Sequence, residues 1–164
     1  MSRLAALFLG SALGVSQALA DARTDCYAKS GEAAIRACTE AIRSNPRDTV
    51  SYINRAFEFL QKGDYQRSVA DYSKAIELDP ARWDSHQGRA WAYFKMGKAA
   101  QGLADAEASL KLKPNAAQTL DTRGHILEVL GRREEAIADF RRALAIEPRL
   151  QGSRDALRRL GAGP

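Results

Sequence analysis

Residues that build reactive centres are scarce in this chain: two cysteines and two histidines in 164 positions. That scarcity leaves little material for a metal centre or a nucleophilic site. Proline occurs five times and aromatic residues make up 7%, so the chain lacks the proline bias of a disordered linker and still has rings enough for a core. Charge of one sign is also missing. The formal net charge is +5 with 27% charged and 45% apolar residues, a mild bias that excludes the electrostatic footprint of a nucleic-acid binder and fits one modest domain. No apolar run is long enough to span a membrane, and the longest is terminal.

That terminal run has its own logic. Arg3 is followed by a nearly all-apolar stretch from Leu4 to Val15, and Ala18-Leu19-Ala20 has the small-x-small form of a cleavage site. The expectation is a cleaved signal peptide over 1–20, a mature chain beginning at Asp21, and a periplasmic or secreted location. Removal of Arg3 leaves 24 basic and 20 acidic residues. Cys26 and Cys38 both fall just inside the mature terminus, where an oxidising compartment favours their pairing. Closing that loop restricts the unfolded chain by roughly 2 to 3 kcal/mol. Metal binding fits less well, because two thiols with His86 and His125 far along the chain give no ligand spacing. Asp25 and Thr24 before Cys26 also depart from a lipid-attachment signal.

The strongest pattern is periodic. Pro46, Pro80, Pro114 and Pro148 recur every 34 residues. Five residues before each proline stands a small residue (Ala41, Ala75, Ser109, Ala143), and twelve before it another (Ala34, Ser68, Gly102, Ala136). Gly63, Gly97 and Gly131 precede three of the prolines by 17, and Ala56, Ala90 and Gly124 by 24. Two helices per unit satisfy these spacings. Tyr52, Ala56 and Phe59 lie at i, i+4 and i+7, as do His86, Ala90, Tyr93 and Leu120, Gly124, Leu127, giving each first helix a packing stripe that glycine ends. Val69, Tyr72, Ile76 and Ile137, Phe140, Leu144 mark returning helices that proline stops.

With its 34-residue helix-turn-helix unit and its small, aromatic and proline positions, the chain resembles the tetratricopeptide-repeat family. Asn54-Arg55-Ala56 and Asp71 to Ile76 look most like bacterial versions. The resemblance implies an all-α, right-handed α-solenoid: a disulfide-stapled N-terminal segment and half repeat over 21–48, three repeats over 49–150, and a capping helix with its tail over 151–164. In the cap, Ser153 is expected to be the N-cap of a helix from Arg154 to Leu160, with Gly161 ending it. Ala106 replaces the large residue that Tyr72 and Phe140 provide, so the third repeat is expected to pack more loosely there.

The resemblance also implies function by interaction. In this family the inner face of the first helices holds an extended peptide or a partner helix, and the positions carried over here are Phe57, Trp91 and His125, beside Leu60 and Phe94, with Asn54 directed at a ligand backbone. Two readings stand open for Phe57 and Trp91: lining a groove, or packing between neighbouring first helices. The basic residues with which some relatives clamp a terminal carboxylate are missing, since Val50, Ile53, Asp84, Gln87 and Gly88 stand at those places. A protein or peptide partner in the periplasm is expected, with self-assembly into an envelope complex as the alternative. No catalytic residue, cofactor, metal or nucleic-acid partner is expected, because the histidines occupy repeat positions with no nucleophile tied to them. Arg55, Arg89 and Arg123 recur at one position and Asp71, Asp105 and Asp139 at another. They suit a ladder of ion pairs, with an anion-binding row as the rival. Arg132 to Leu160 holds eight arginines against five acidic residues, read as a solvated surface.

Overall fold

The computed structural model describes residues 22–163, and the expected leader 1–20 lies outside them. Nine helices and no strand occur among the described residues. A short α1 spans 22–28; then come α2 (Gly31–Ser44), α3 (Thr49–Gln61), α4 (Tyr65–Leu78), α5 (Trp83–Lys95), α6 (Ala99–Leu112), α7 (Ala117–Val129), α8 (Arg133–Ile146) and α9 (Gln151–Arg159).

The periodic glycines and prolines fix the ends of these helices by different means. Gly63, Gly97, Gly131 and Gly161 adopt φ of 77°, 73°, 75° and 63°, a left-handed conformation that lets the next amide fold back onto the helix. Asp64, Lys98, Arg132 and Ala162 accordingly donate to the carbonyls of Phe59, Tyr93, Leu127 and Leu157, each at 2.9 Å. At the other turns, the residue before proline is forced out of the helical region. Asn45, Asp79, Lys113 and Glu147 therefore have φ of −134°, −148°, −138° and −128°.

Each helix packs on its chain neighbours, and α3, α5, α7 and α9 also touch one another in sequence. The even-numbered helices make no such contact with each other. Odd helices thus form the inner, concave layer and even helices the splayed outer layer. The crossing points are the small residues: Ala34, Ala56, Ser68, Ala75, Ala90, Ser109, Ala136 and Ala143 are all fully buried. A side chain at Gly88 would put its Cβ 2.2 Å from Tyr72 Cζ, and one at Gly124 would lie 2.6 Å from Phe140 Cε1. Large rings fill what the glycines leave.

Two local expectations change. Ala106 does not leave slack, because Ile126 reaches in from α7 and packs with Ala90, Ala99 and Ala106, with Phe94 and Leu103 alongside. Ser153 is not an N-cap. The last helix begins at Gln151 with Leu150 as its cap, and Ser153 lies inside it, buried, donating to Asp121 Oδ1 at 2.5 Å. It occupies the register of Ser51, Ser85 and Thr119, one repeat apart and all fully buried, so α9 is laid down as another first helix.

At the opposite end, Cys26 and Cys38 form a disulfide with both residues buried. It binds α1 to α2, and the Gly31 amide donates to Glu58 Oε2 at 2.6 Å to anchor the turn between them on α3.

The recurring arginines and aspartates meet within each repeat. Arg55 Nε and Nη2 donate to Asp71 at 2.7 and 2.8 Å, Arg89 to Asp105 at 2.7 and 2.7 Å, and Arg123 to Asp139 at 2.6 and 2.8 Å. A third donor continues into the preceding unit, from Arg55 Nη1 to Thr39 Oγ1 at 3.0 Å and from Arg89 Nη1 to Ser73 Oγ at 2.9 Å. These guanidiniums are used up in holding helices, which removes the anion-row reading. His86 stands in the same layer, with Nε2 3.2 Å from the Pro80 carbonyl and Nδ1 3.5 Å from Asp105.

Candidate functional site

An open groove of about 310 Å³ runs along the inner layer. Phe57, Leu60 and Gln61 enter it from α3, Gln87, Gly88 and Trp91 from α5, and Gln118, Asp121 and Thr122 from α7, with Tyr72 at its floor and Leu150 at its far end. Residues facing it stand four or three apart on each helix, so α3, α5 and α7 each present one edge inward.

Three of the six residues expected at the site come together here: Phe57, Leu60 and Trp91. Phe57 is 49% exposed, far more than a ring packed between helices. Trp91 is half-buried, its ring 5.0 Å from that of Phe94 and 6.0 Å from that of His125. Phe94 sits deeper, stacked 6.1 Å from His125 and packed against the Ala90, Ala106 and Ile126 cluster. Asn54 is half-buried on α3 and stands outside the lining set.

His125 is placed differently from a free rung. Its ring meets Phe140 edge-on at 4.9 Å, and α9 lies over it: a Cβ on Gly152 would fall 3.5 Å from His125 Nε2. On either side, Ser153 bonds Asp121, and Arg159 forms a two-pronged pair with Glu128 at 2.9 and 2.7 Å. Burial holds the imidazole below its ordinary value, with Arg159 adding to this and Asp121 and Glu128 opposing it. His125 is therefore a neutral ring at neutral pH, closing one end of the aromatic series.

The groove's remaining polar groups are mostly uncharged. Gln87 donates to Thr122 Oγ1 at 3.2 Å, linking α5 to α7 across the floor. The Tyr72 phenol is held neutral, its ionisation pushed up by burial. Tyr72, Gln118, Thr122 and Leu150 were not expected at the site. Register carries the signal for two of them: Tyr72 lies opposite Gly88, and Thr122 accepts from the Gln87 amide of the preceding first helix.

Among the described residues no group of three or more metal-type side chains gathers, and no helix is long and apolar enough to cross a membrane.

Comparison with known proteins gives the same architecture. Residues 58–99 match the family model described as TPR repeat, and residues 117–150 match the one described as tetratricopeptide repeat. No curated protein matches the sequence. Among solved structures, the second TPR domain of the human RPAP3 protein in complex with HSP70 peptide SGPTIEEVD is 26% identical, with a TM-score of 0.64 over 69% of this chain and 94% of that one. The Arabidopsis OM64 TPR domain is also 26% identical, with a TM-score of 0.66 over 69% and 93%. The MamA RS-1 ArsTM double mutant has a TM-score of 0.75 over 89% and 82%. At 19% identity that last likeness concerns the fold alone.

Proposed function

This chain is a tetratricopeptide-repeat protein, and from that premise we propose that it is a non-catalytic interaction module whose inner groove holds an extended peptide or a partner helix. The observation that carries the reading is that the exposed ring of Phe57 and half-buried Trp91 line one open channel. A core would have closed over these rings, and exposed aromatic area in a concave site is what binding energy is built from. Peptide capture by the second TPR domain of RPAP3 supports the same class of function.

The proposed location is the periplasm or an equivalent exported compartment. Two features support it: the basic, apolar and small-residue order of Arg3 to Ala20, and a disulfide near the start of the mature chain, a bond that persists where thiols are not kept reduced. Intact mass of the native protein tests this, with Asp21 as the expected first residue. Retention of Met1 on native material would refute the export reading.

Trp91→Ala tests the groove. Loss of a central aromatic anchor should weaken a captured peptide by about 2 kcal/mol, roughly thirtyfold. The same substitution should cost less folding stability than Phe140→Ala, where emptying a fully buried site costs about 3 to 5 kcal/mol. A Trp91→Ala protein as unstable as Phe140→Ala, with peptide affinity intact in its folded fraction, would reassign Trp91 to packing.

A further inference from the structure

The groove carries a charge asymmetry. Of the side chains that line it, Asp121 alone is ionised; the rest are apolar, amide, hydroxyl or phenol. Two nearby carboxylates are compensated by arginines. Glu128 is held by Arg159, and Asp84 by Arg82 at 3.1 Å and a second, shorter contact.

Asp121 has no such partner. One carboxylate oxygen accepts the Ser153 hydroxyl, and the sole ion-pair neighbour found for it among the described residues is His125, whose Nε2 lies 3.8 Å from Oδ2. Burial disfavours protonation of that imidazole, so no cation lies against the carboxylate. Its side chain is 18% exposed, enclosed enough for a low effective dielectric and open enough to be reached. Lys95 lies 5.9 Å from the Trp91 ring centroid but outside the lining set. It leaves the channel itself without a positive charge.

We propose that the groove selects an extended peptide carrying a lysine or arginine beside a bulky apolar residue, the apolar side chain seated among Phe57, Leu60 and Trp91 and the cation directed at Asp121. The proposal rests on the groove function given above and adds its charge preference. The Gln61 amide and the amide oxygens of Gln87 and Gln118, whose nitrogens donate to Thr122 and Glu147, offer polar contacts to a peptide backbone, which carries no sign. Sign is read at one place. A peptide ending in acidic residues, such as SGPTIEEVD, would bring like charge toward Asp121 and find no cation in the channel to offset it.

The test uses acetylated, amidated peptides in two pools matched in length: a central Leu, Phe or Trp flanked by Lys and Arg, or by Asp and Glu. Affinity for the disulfide-bonded protein is read by fluorescence anisotropy. The basic pool should bind about fivefold tighter or more, and added salt should erode that margin. Asp121→Asn keeps an acceptor for Ser153 and should remove most of the preference, while helicity and unfolding midpoint stay close to those of the parent. Equal or tighter binding of the acidic pool overturns the proposal and leaves the groove reading standing, as does a preference that survives Asp121→Asn. Binding of neither pool, nor of SGPTIEEVD, overturns the groove reading itself and the charge preference with it.

Discussion

Arg89 holds Asp105 through two parallel hydrogen bonds of 2.7 Å while its third nitrogen reaches Ser73 in the unit before. One side chain therefore ties three helices, α4, α5 and α6, and fixes how two repeats stack. Planar two-pronged geometry requires guanidinium, which an ammonium cannot reproduce. Removing one partner leaves a charge in a site where Asp105 is only 7% exposed. Arg89→Ala should cost about 2 to 3 kcal/mol in urea unfolding, and Arg89→Lys should recover less than half of it. If Arg89→Lys matches the parent, the two-pronged geometry contributes nothing.

Gly88 reverses a general rule. Glycine in a helix is normally less stable than alanine by about 1 kcal/mol, so Gly88→Ala would ordinarily strengthen α5. Here the new Cβ would lie 2.2 Å from the Tyr72 ring, and relieving that overlap costs about 1 to 3 kcal/mol. The expected result is a lowered unfolding midpoint, regained in part by adding Tyr72→Leu. A more stable single variant would show that the ring moves aside freely.

His125 makes stability depend on pH. Its folded-state value lies below the ordinary 6.5, chiefly through burial, so the unfolded chain takes up a proton first as pH falls. Stability is then lost on acidification through and below 6.5. Glu128 is shifted below its ordinary 4.5 by its hydrogen bonds with Arg159, and its contribution is lost only at lower pH. Unfolding midpoints measured from pH 7 downward should show the first decline, and His125→Phe should abolish that step while keeping the second. A first decline unchanged in His125→Phe would assign it to another group.

The disulfide predicts both a chemical and a structural result. Under denaturing, non-reducing conditions neither Cys26 nor Cys38 should be alkylated. Cys26→Ala with Cys38→Ala should lower stability by about 2 to 3 kcal/mol, and the loss of amide protection should concentrate in α1 and the first turns of α2. Alkylation of both thiols in native exported protein would contradict the bond.

The proline period, the glycine turns and the pairing of Arg55 with Asp71 were all legible in the sequence, because each is a residue type demanded by local geometry and repeated at one register. Ser153 was misread for a related reason. Taken alone, Ser before Arg154 is a helix-start signal; taken 34 residues after Thr119, it is an interior position of a first helix. That reading would also have placed α9 over His125, and so it would have predicted a capped rung where the spacing alone suggested an open one. Ala106 was beyond sequence reasoning of this kind, since the residue that compensates it, Ile126, comes from the following repeat and from a register with no conserved size in the others: Glu58 and Ala92 stand there.

The absence of contact among the even helices makes the array quasi-linear, so each unit opens against its neighbours and not against the whole. Its two ends are then mechanically unequal. One is closed by a covalent bond between α1 and α2; the other relies on α9, nine residues long, held by Ser153, Arg159 and the burial of Ala156 and Leu157. Transient fraying should therefore propagate inward from α9. Each excursion would strip Asp121 of its Ser153 hydroxyl, uncover His125 and lengthen the channel by one helix width, so the footprint available to a ligand is set by the open population of the last helix as much as by the resting geometry.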